Sequence, residues 1–417
     1  MAAARCRFRD GRHQGAAMPT IFWDIETRST VNLKIAGAFR YASDPTTEVL
    51  CVGYAVNDSP VSIWVPDQPI PEPFIEAARD PSYLIVAHND QFERTIERLI
   101  LHPRYGWPLI PVERRRCSMV MALAAALPGA LDKAVEALGL PHKKDKAGQS
   151  LMCRMAKPLP GGGWIEDATS LEQLYAYLRQ DVEAQRALYP VLPPLTADEQ
   201  RLWELDAAVN ARGFHVDNEL LNAAHKVLIE AEAARQSEFR ELTGLDSTNQ
   251  TAQLINWLAE RDCAVADVRK GTLKHALRRK GLAPEVRRAV ELRLELAHAS
   301  AAKILALLNW RGADGRVRGT LGFHGAATGR WVGRGPQPQN FKRDGENIEA
   351  KIAAQRAASL SPPLAPILLH WQATMLRPPA RIRPSACLMS CGPTLPSAVT
   401  GCGMNKYRRQ PARLLVG

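Results

Sequence analysis

Six residues near the start constrain the chain most: Ile21-Phe22-Trp23-Asp24-Ile25-Glu26. The apolar run over 19–25 predicts a strand. Side chains alternate along a strand, so Asp24 and Glu26 emerge on one face, while Ile21, Trp23 and Ile25 are placed for burial. Two like charges at the end of an apolar strand are costly without a cation. Hard divalent ions take carboxylate oxygens and keep waters. Two of them about 4 Å apart could activate water and hold a leaving oxygen. A D-x-E pair in a strand is common, however, and is often structural. A site of this kind needs further acids from later elements.

Two later segments supply candidates. The run 82–87 predicts a buried strand that leads into His88-Asn89-Asp90-Gln91-Phe92-Glu93 and a helix over 91–100. Leu171, Leu174, Tyr175, Leu178 and Val182 recur at helical spacing, which predicts a helix over 171–189 carrying Asp181. Tyr177 precedes Asp181 by one turn and shares its face, where a phenol can orient a water held by a cation. Taken singly, Tyr177 reads as core and Asp181 as a surface acid. The ordered set D-x-E, N-x-x-F-E and Y-x-x-x-D is the specific signal.

The remaining pattern predicts a compact α/β unit followed by a helical one. Segments 49–56 and 61–65 flank the turn cluster Asn57-Asp58-Ser59-Pro60 and read as a hairpin. A short helix is expected over 71–79 and another around Leu131, Ala134, Val135, Leu138 and Leu140. Residues 141–163, basic and then glycine-rich, read as a loop. From 197 to 310 the pattern is almost wholly helical, and 314–343, rich in Gly, Arg and Gln, reads as extended or looped. At 417 residues, two or three domains are expected.

The formal net charge of +11 would suggest a polyanionic partner, but it sits at the two ends. Residues 361–417 hold seven Lys and Arg, nine prolines and no acid, and residues 1–17 hold four Arg and one Asp. Residues 18–360 are therefore near +1, so a nucleic-acid role must rest on placed residues. The expectation is an upstream extension over 1–17, with Met18 as a natural start, and a disordered tail over 356–417 that reads as out-of-frame translation. The eight cysteines show no paired C-x-x-C spacing, which excludes a zinc ribbon or a disulfide scaffold and suits a reducing cytosol. No charge-free apolar run of about 18 residues is present, so a cytoplasmic protein with no membrane partner is expected.

The three acidic segments resemble the ExoI, ExoII and ExoIII motifs of the DEDD 3′–5′ proofreading exonucleases, tyrosine subtype, on a ribonuclease H-like fold. The resemblance implies Asp24, Glu26, Glu93 and Asp181 as ligands of two divalent ions, Mg2+ or Mn2+, and Tyr177 as the group that orients water. It also places Asn89 and Phe92 against DNA. One departure is plain: the second motif normally ends in Asp, and this chain has Glu93. The extra methylene moves the carboxylate by roughly 1.5 Å, and Asp90 is the alternative ligand.

Thr328-Gly329-Arg330 and Gln339-Asn340 resemble the segment before the palm of family A, polymerase I-like DNA polymerases. Asp246-Ser247-Thr248-Asn249 with Gln253-Leu254, and Gly213 to Asp217, resemble parts of the thumb. The implied arrangement is an exonuclease domain over 18–195 and a helical thumb and pre-palm region over 196–355, as in phage or prophage polymerases. Arg330 could fork onto a phosphate, while Gln339 and Asn340 could bond backbone or minor-groove acceptors of a primer-template. The palm and fingers motifs that the family places next are not found, so polymerisation is not expected from this sequence. The resulting expectation is a metal-dependent 3′–5′ exonuclease acting on single-stranded DNA ends. The alternative is a decayed polymerase fragment that binds DNA weakly.

Overall fold

A computed structural model describes residues 18–141, 145–296 and 299–341. The expectations for 1–17 and 356–417 lie outside the described residues. The described residues fall within one compact unit.

The first part is a five-stranded mixed sheet covered on both faces. Strand β1 (Thr20–Arg28) is followed by α1 (Leu33–Ala42), and the hairpin is β2 (Glu48–Val56) with β3 (Ser62–Trp64). Then come α2 (Glu72–Arg79), β4 (Leu84–Ala87) and α3 (Gln91–Ile96). A π turn over Glu97–Leu101 and a short α4 (His102–Tyr105) lead to β5 (Arg115–Cys117), α5 (Ser118–Ala124), α6 (Leu131–Ala137), α7 (Lys146–Met155) and the long α8 (Ala168–Leu188). The strand order is β3-β2-β1-β4-β5. The β1–β2 and β2–β3 pairs are antiparallel, whereas β4 runs parallel to both β1 and β5.

β1 is almost continuously apolar because it is central and covered on both sides. On one face Ile21, Trp23 and Ile25 pack with Trp64, Phe74, Ile96, Ile100 and Trp107. On the other, Phe22 meets Ala55, Val86 and Val182 of α8. Asp24 pairs with Gly53 and Glu26 with Cys51, so the two acids share the α8 face, and a register shift follows Glu26. Gly53 matters here: a Cβ at this position would lie 2.8 Å from Leu178 Cγ, so glycine lets α8 lie close over the acidic stretch of β1.

The second part is helical. It comprises α9 (Ala197–Arg212), α10 (Asn218–Thr243), α11 (Thr251–Ala259), α12 (Lys270–Ala276), α13 (Pro284–Leu296) and α14 (Ala299–Trp310). Strand β6 (Phe214–His215) pairs with β7 (Arg316–Val317), and β8 (Leu321–Gly322) pairs with β9 (Val332–Gly333). The capping box of Thr196 and Glu199 starts α9. Helix α10 packs on α13 and α14, and α14 in turn packs on α1. Gly37 bends α1 with φ +72° and leaves room for the Trp310 ring, which a Cβ would approach to 2.8 Å. Among the described residues no helix is long and apolar enough to cross a membrane.

The structure corrects the loop expected over 141–163. Lys146–Met155 is a helix, capped by Asp145, whose Oδ1 accepts from the backbone of Ala147 and Gly148. Its Leu151 and Met155 are buried against Cys51, Leu174 and Leu178. The helix expected over 91–100 is instead interrupted by the π turn at Glu97.

β5 carries Arg115, which is fully buried. Its guanidinium donates to Asp90 Oδ1 at 2.9 Å, to Glu97 Oε2 and to Ile110 O at 3.2 Å. Removing one partner of a buried ion pair strands the other charge, so Arg115→Met should lower unfolding stability by about 3–5 kcal/mol. Urea denaturation checks this; a loss below about 1 kcal/mol would show that the buried carboxylates do not depend on Arg115.

Candidate active site

Asp24, half-buried, and Glu26, buried, lie on the strand face that α8 covers. Asp24 Oδ1 accepts from the Ile25 backbone N–H at 2.9 Å. Burial raises the Asp24 carboxyl above the ordinary carboxylate range. Burial, followed by the charges of Asp24 and Asp181, pushes Glu26 well above it.

Glu93 is delivered by the turn after β4. Asn89 adopts a left-handed conformation, φ 82°, which Asn tolerates better than most residues, and this turns the chain from the strand into α3. His88 accompanies it as a structural residue, bonded through its ring nitrogens to Ser118 Oγ and Gly129 O, both at 2.9 Å. Burial lowers its pKa to about 4, so the ring is neutral. Phe92 packs against the core of the sheet, with its ring 6.4 Å from Tyr41.

The two acids of this turn have opposite surroundings. Asp90 is fully buried and held by Arg115 and by Arg94 at 3.0 Å. Glu93 is also buried, but it faces Asp24, to which it is hydrogen-bonded, and its Oε2 has no hydrogen-bond partner. Burial and the Asp24 charge push Glu93 well above the usual carboxylate range. Two adjacent carboxyls cannot both ionise at low cost, and the larger rise falls on Glu93, the more deeply buried of the two.

Tyr177 and Asp181 complete the group from α8. They stand one helical turn apart, and the phenol hydrogen-bonds the carboxylate. Burial first, then the Asp181 charge, raises the phenol pKa, so its proton stays in place at neutral pH. Gln185, one turn further on, donates to Val86 O at 2.7 Å and ties the helix to β4. Around the site, Thr27 Oγ1 lies 2.8 Å from the Tyr41 hydroxyl, and burial pushes Tyr41 up to about 12.

Asp24, Glu26, Glu93, Tyr177 and Asp181 are thus brought together from three segments. Arg330, Gln339 and Asn340 lie elsewhere, exposed on the stretch that contains β8 and β9. Asn340 Nδ2 donates to Gln337 Oε1 at 2.7 Å, and its carbonyl accepts from Lys303. That stretch reaches the site's helix through Arg334, whose guanidinium donates to Gln91 Oε1 at 3.0 Å. Sequence reasoning missed Arg115 and the helix α7 beside Tyr177. Nothing in a lone Arg-Arg-Cys signals burial, and the glycine of α7 masks its helical spacing.

Among the described residues no three His, Cys, Asp or Glu side chains stand in ready-made metal-ligating geometry. The donor chemistry nevertheless fits a hard cation. The group is all oxygen and largely buried, the charge of Asp24 raises both Glu26 and Glu93, and one oxygen of Glu93 is left without a partner.

No protein-family model matches the chain. It is 34% identical over 342 residues to the DNA polymerase of Bacillus phage SP02, an alignment covering 78% of this chain and 52% of that protein. The chain therefore spans about half the length of this relative and is similar to part of a phage DNA polymerase. Among solved structures, it has a TM-score of 0.46 and 17% identity to the polymerase domain of Pol1 from M. smegmatis, solved with DNA primer-template and dNTP. That match covers 77% of this chain and 53% of the other.

The raised carboxyls set a pH dependence. A carboxyl whose pKa is higher in the folded state than in the unfolded one stabilises the fold while protonated. That contribution is complete below the unfolded value and is lost as pH rises through the folded one. Without divalent ions, stability should therefore fall as pH rises above the ordinary carboxylate range. Glu93→Gln, which stays neutral, should then raise the melting temperature at pH 8 by about 2–4 °C, roughly 1 kcal/mol in a domain of this size. Thermal scans in chelator at pH 5 and pH 8 check this; an equal effect at both pH values would refute it.

Proposed function

We propose that this chain is a divalent-metal-dependent 3′–5′ DNA exonuclease of the tyrosine-type DEDD class, with a ribonuclease H-like nuclease domain over 18–195. We place it within a family A DNA polymerase-related protein whose thumb and pre-palm region is 196–355. The observation that carries the reading is the meeting of Asp24, Glu26, Glu93 and Asp181 with Tyr177 in one largely buried group. These residues come from three separated segments in the order expected for the class. The similarity to a phage DNA polymerase supports a role connected with DNA replication.

The four carboxylates would hold two Mg2+ or Mn2+ ions, which supply charge neutralisation at the scissile phosphate and activation of water. Asp24 and Glu26 project from a strand packed on both faces, so their positions are set before substrate arrives. Glu93, hydrogen-bonded to Asp24, would be one of the residues that hold a cation. Tyr177 donates to Asp181, and its oxygen is left to accept a hydrogen bond from the attacking water and orient it. Asn89 and Phe92, on the turn that presents Glu93, would flank the DNA 3′ end. Arg330, Gln339 and Asn340, whose side chains are exposed, would meet primer-template.

Purified protein should shorten a labelled single-stranded DNA from its 3′ end, and chelator should abolish the reaction. Activity that survives in the Asp24→Ala/Glu26→Ala variant would sink the assignment. Glu93→Asp should keep the activity, while Glu93→Gln should lower kcat by about tenfold or more, about 1.4 kcal/mol of barrier per decade. If Glu93→Gln matches the parent while Asp90→Asn loses activity and keeps its fold, the ligand is Asp90.

A further inference from the structure

Helix α7 lies against the tyrosine of the site. Its cap residue Asp145 accepts from the backbone of Ala147 and Gly148, both at 3.0 Å, which fixes its first turn. At its other end the carbonyl of Ala156 accepts from the Ser29 backbone N–H at 3.2 Å, just past the strand that carries Asp24 and Glu26. Arg28, the last residue of that strand, pairs with Glu166 at 2.7 Å and lies over the Trp164 ring, holding the segment that follows α7. Leu151 and Met155 bury the middle of the helix against α8 and β2. α7 is therefore tied both to the strand with the first two acids and to the helix with Tyr177.

Gly148 is buried in the first turn of α7. A Cβ there would lie 2.8 Å from Tyr177 Cδ2 and 2.4 Å from Asp145 Oδ2. Glycine is a poorer helix former than alanine, and at this position backbone conformation does not require it. What does require it is the space taken by the Asp145 cap and by the phenol ring, of which the ring is the part that cannot bend aside. The ring is rigid, and the capped, doubly anchored helix beneath it has little freedom to retreat.

We propose that Gly148 is a positioning residue for the nuclease reaction: α7 forms a seat under Tyr177, and the missing side chain at 148 sets where the phenol stands relative to Asp181. This rests on the nuclease reading above, since it is the water-orienting phenol that the seat would place. A methyl group at 148 would crowd the Tyr177 ring and the Asp145 cap, and would touch neither substrate nor the four carboxylates of the site. It should therefore lower kcat and leave KM near its parent value.

The test is a double-mutant cycle in the full chain, with a readout that does not need activity. Gly148→Ala should lower kcat on the order of tenfold to a hundredfold, the usual result of misplacing a positioned group. In the Tyr177→Phe background the same substitution should have almost no further effect on kcat, because the hydroxyl it displaces is already gone. In 3-fluorotyrosine-labelled protein, the 19F resonance that disappears in Tyr177→Phe should shift in Gly148→Ala, while the resonances of Tyr83 and Tyr105 stay in place. Equal kcat losses in the parent and Tyr177→Phe backgrounds, or an unmoved Tyr177 resonance, would overturn the seat. A shifted resonance in a protein with no chelator-sensitive shortening of DNA would overturn the nuclease reading and leave the seat standing. If Gly148→Ala does not fold, adding Tyr177→Leu should restore folding by removing the ring. Failure to do so would show that the glycine serves the Asp145 cap, and the proposal falls.

Discussion

The charge of Arg115 organises the turn on which the candidate site depends. It is fully buried on a three-residue strand at the sheet edge, with its guanidinium shared between Asp90 and Glu97 and stacked over Trp23. Burying such ions costs several kcal/mol each, and the mutual attraction offsets this only when every donor finds an acceptor. Here the fork spans the start of α3 and the π turn that follows it, so the pairing fixes the helix's direction as well as its charge. Burial still lifts Glu97 to about 7 beside its arginine, a sign that desolvation and pairing are finely opposed. Between Asp90 and Glu97, on the same short helix, Glu93 is turned towards β1.

Two kinds of buried acid therefore stand within a few residues of each other. Asp90 and Glu97 are neutralised by arginines and hold structure. Asp24 is raised in pKa by burial, and Glu26 and Glu93 by burial and by the charge of Asp24. A fold that can pair one set could pair the other, and the retention of an uncompensated set is a standing cost to stability. The cost has a rationale if a cation is the missing partner, because metal affinity rises with the number of carboxylates that must otherwise repel. The longer Glu93 side chain is compatible with this, since its carboxyl already reaches Asp24 from the helix start.

Much of this was legible in the sequence, for reasons that can be stated residue by residue. β1, the β2–β3 hairpin, β4 and α8 are elements whose apolar periodicity coincides with their burial, so pattern and structure agree. The meeting of Asp24, Glu26, Glu93, Tyr177 and Asp181 was legible through the resemblance of three ordered segments to the exonuclease motifs, and from none of the segments singly. What was hidden is what tertiary contact decides. Arg115 has no strand propensity and looks like a surface residue until its two carboxylate partners are in place. α7 contains Gly148 and three charged or amide side chains among its ten residues, and its helix is secured by the Asp145 cap and by Leu151 and Met155 against α8. α1 is bent at Gly37, which breaks its spacing. Asp90 and Glu93 could not be told apart until Arg94 and Arg115 were seen to take one of them.

The glycines of the sheet unit show how these pieces depend on each other. Gly53 admits α8 to the face of β1 on which Asp24 lies, and Gly37 admits Trp310, drawing α14 onto α1. The first contact builds the site and the second joins the sheet to the helical part. Both are joined again at α3, where Gln91 accepts from Arg334, two residues before Glu93. The stretch bearing Arg330, Gln339 and Asn340 is therefore tied to the helix that presents a site carboxylate by a direct side-chain bond. Movement of that stretch on binding a ligand would be felt at Gln91 first. It would reach Glu93 only by displacing a helix start that Arg115 and Arg94 hold through Asp90. The ion pairs of Asp90 thus hold the start of this helix from the sheet side, while Arg334 meets the same helix from the helical part through Gln91.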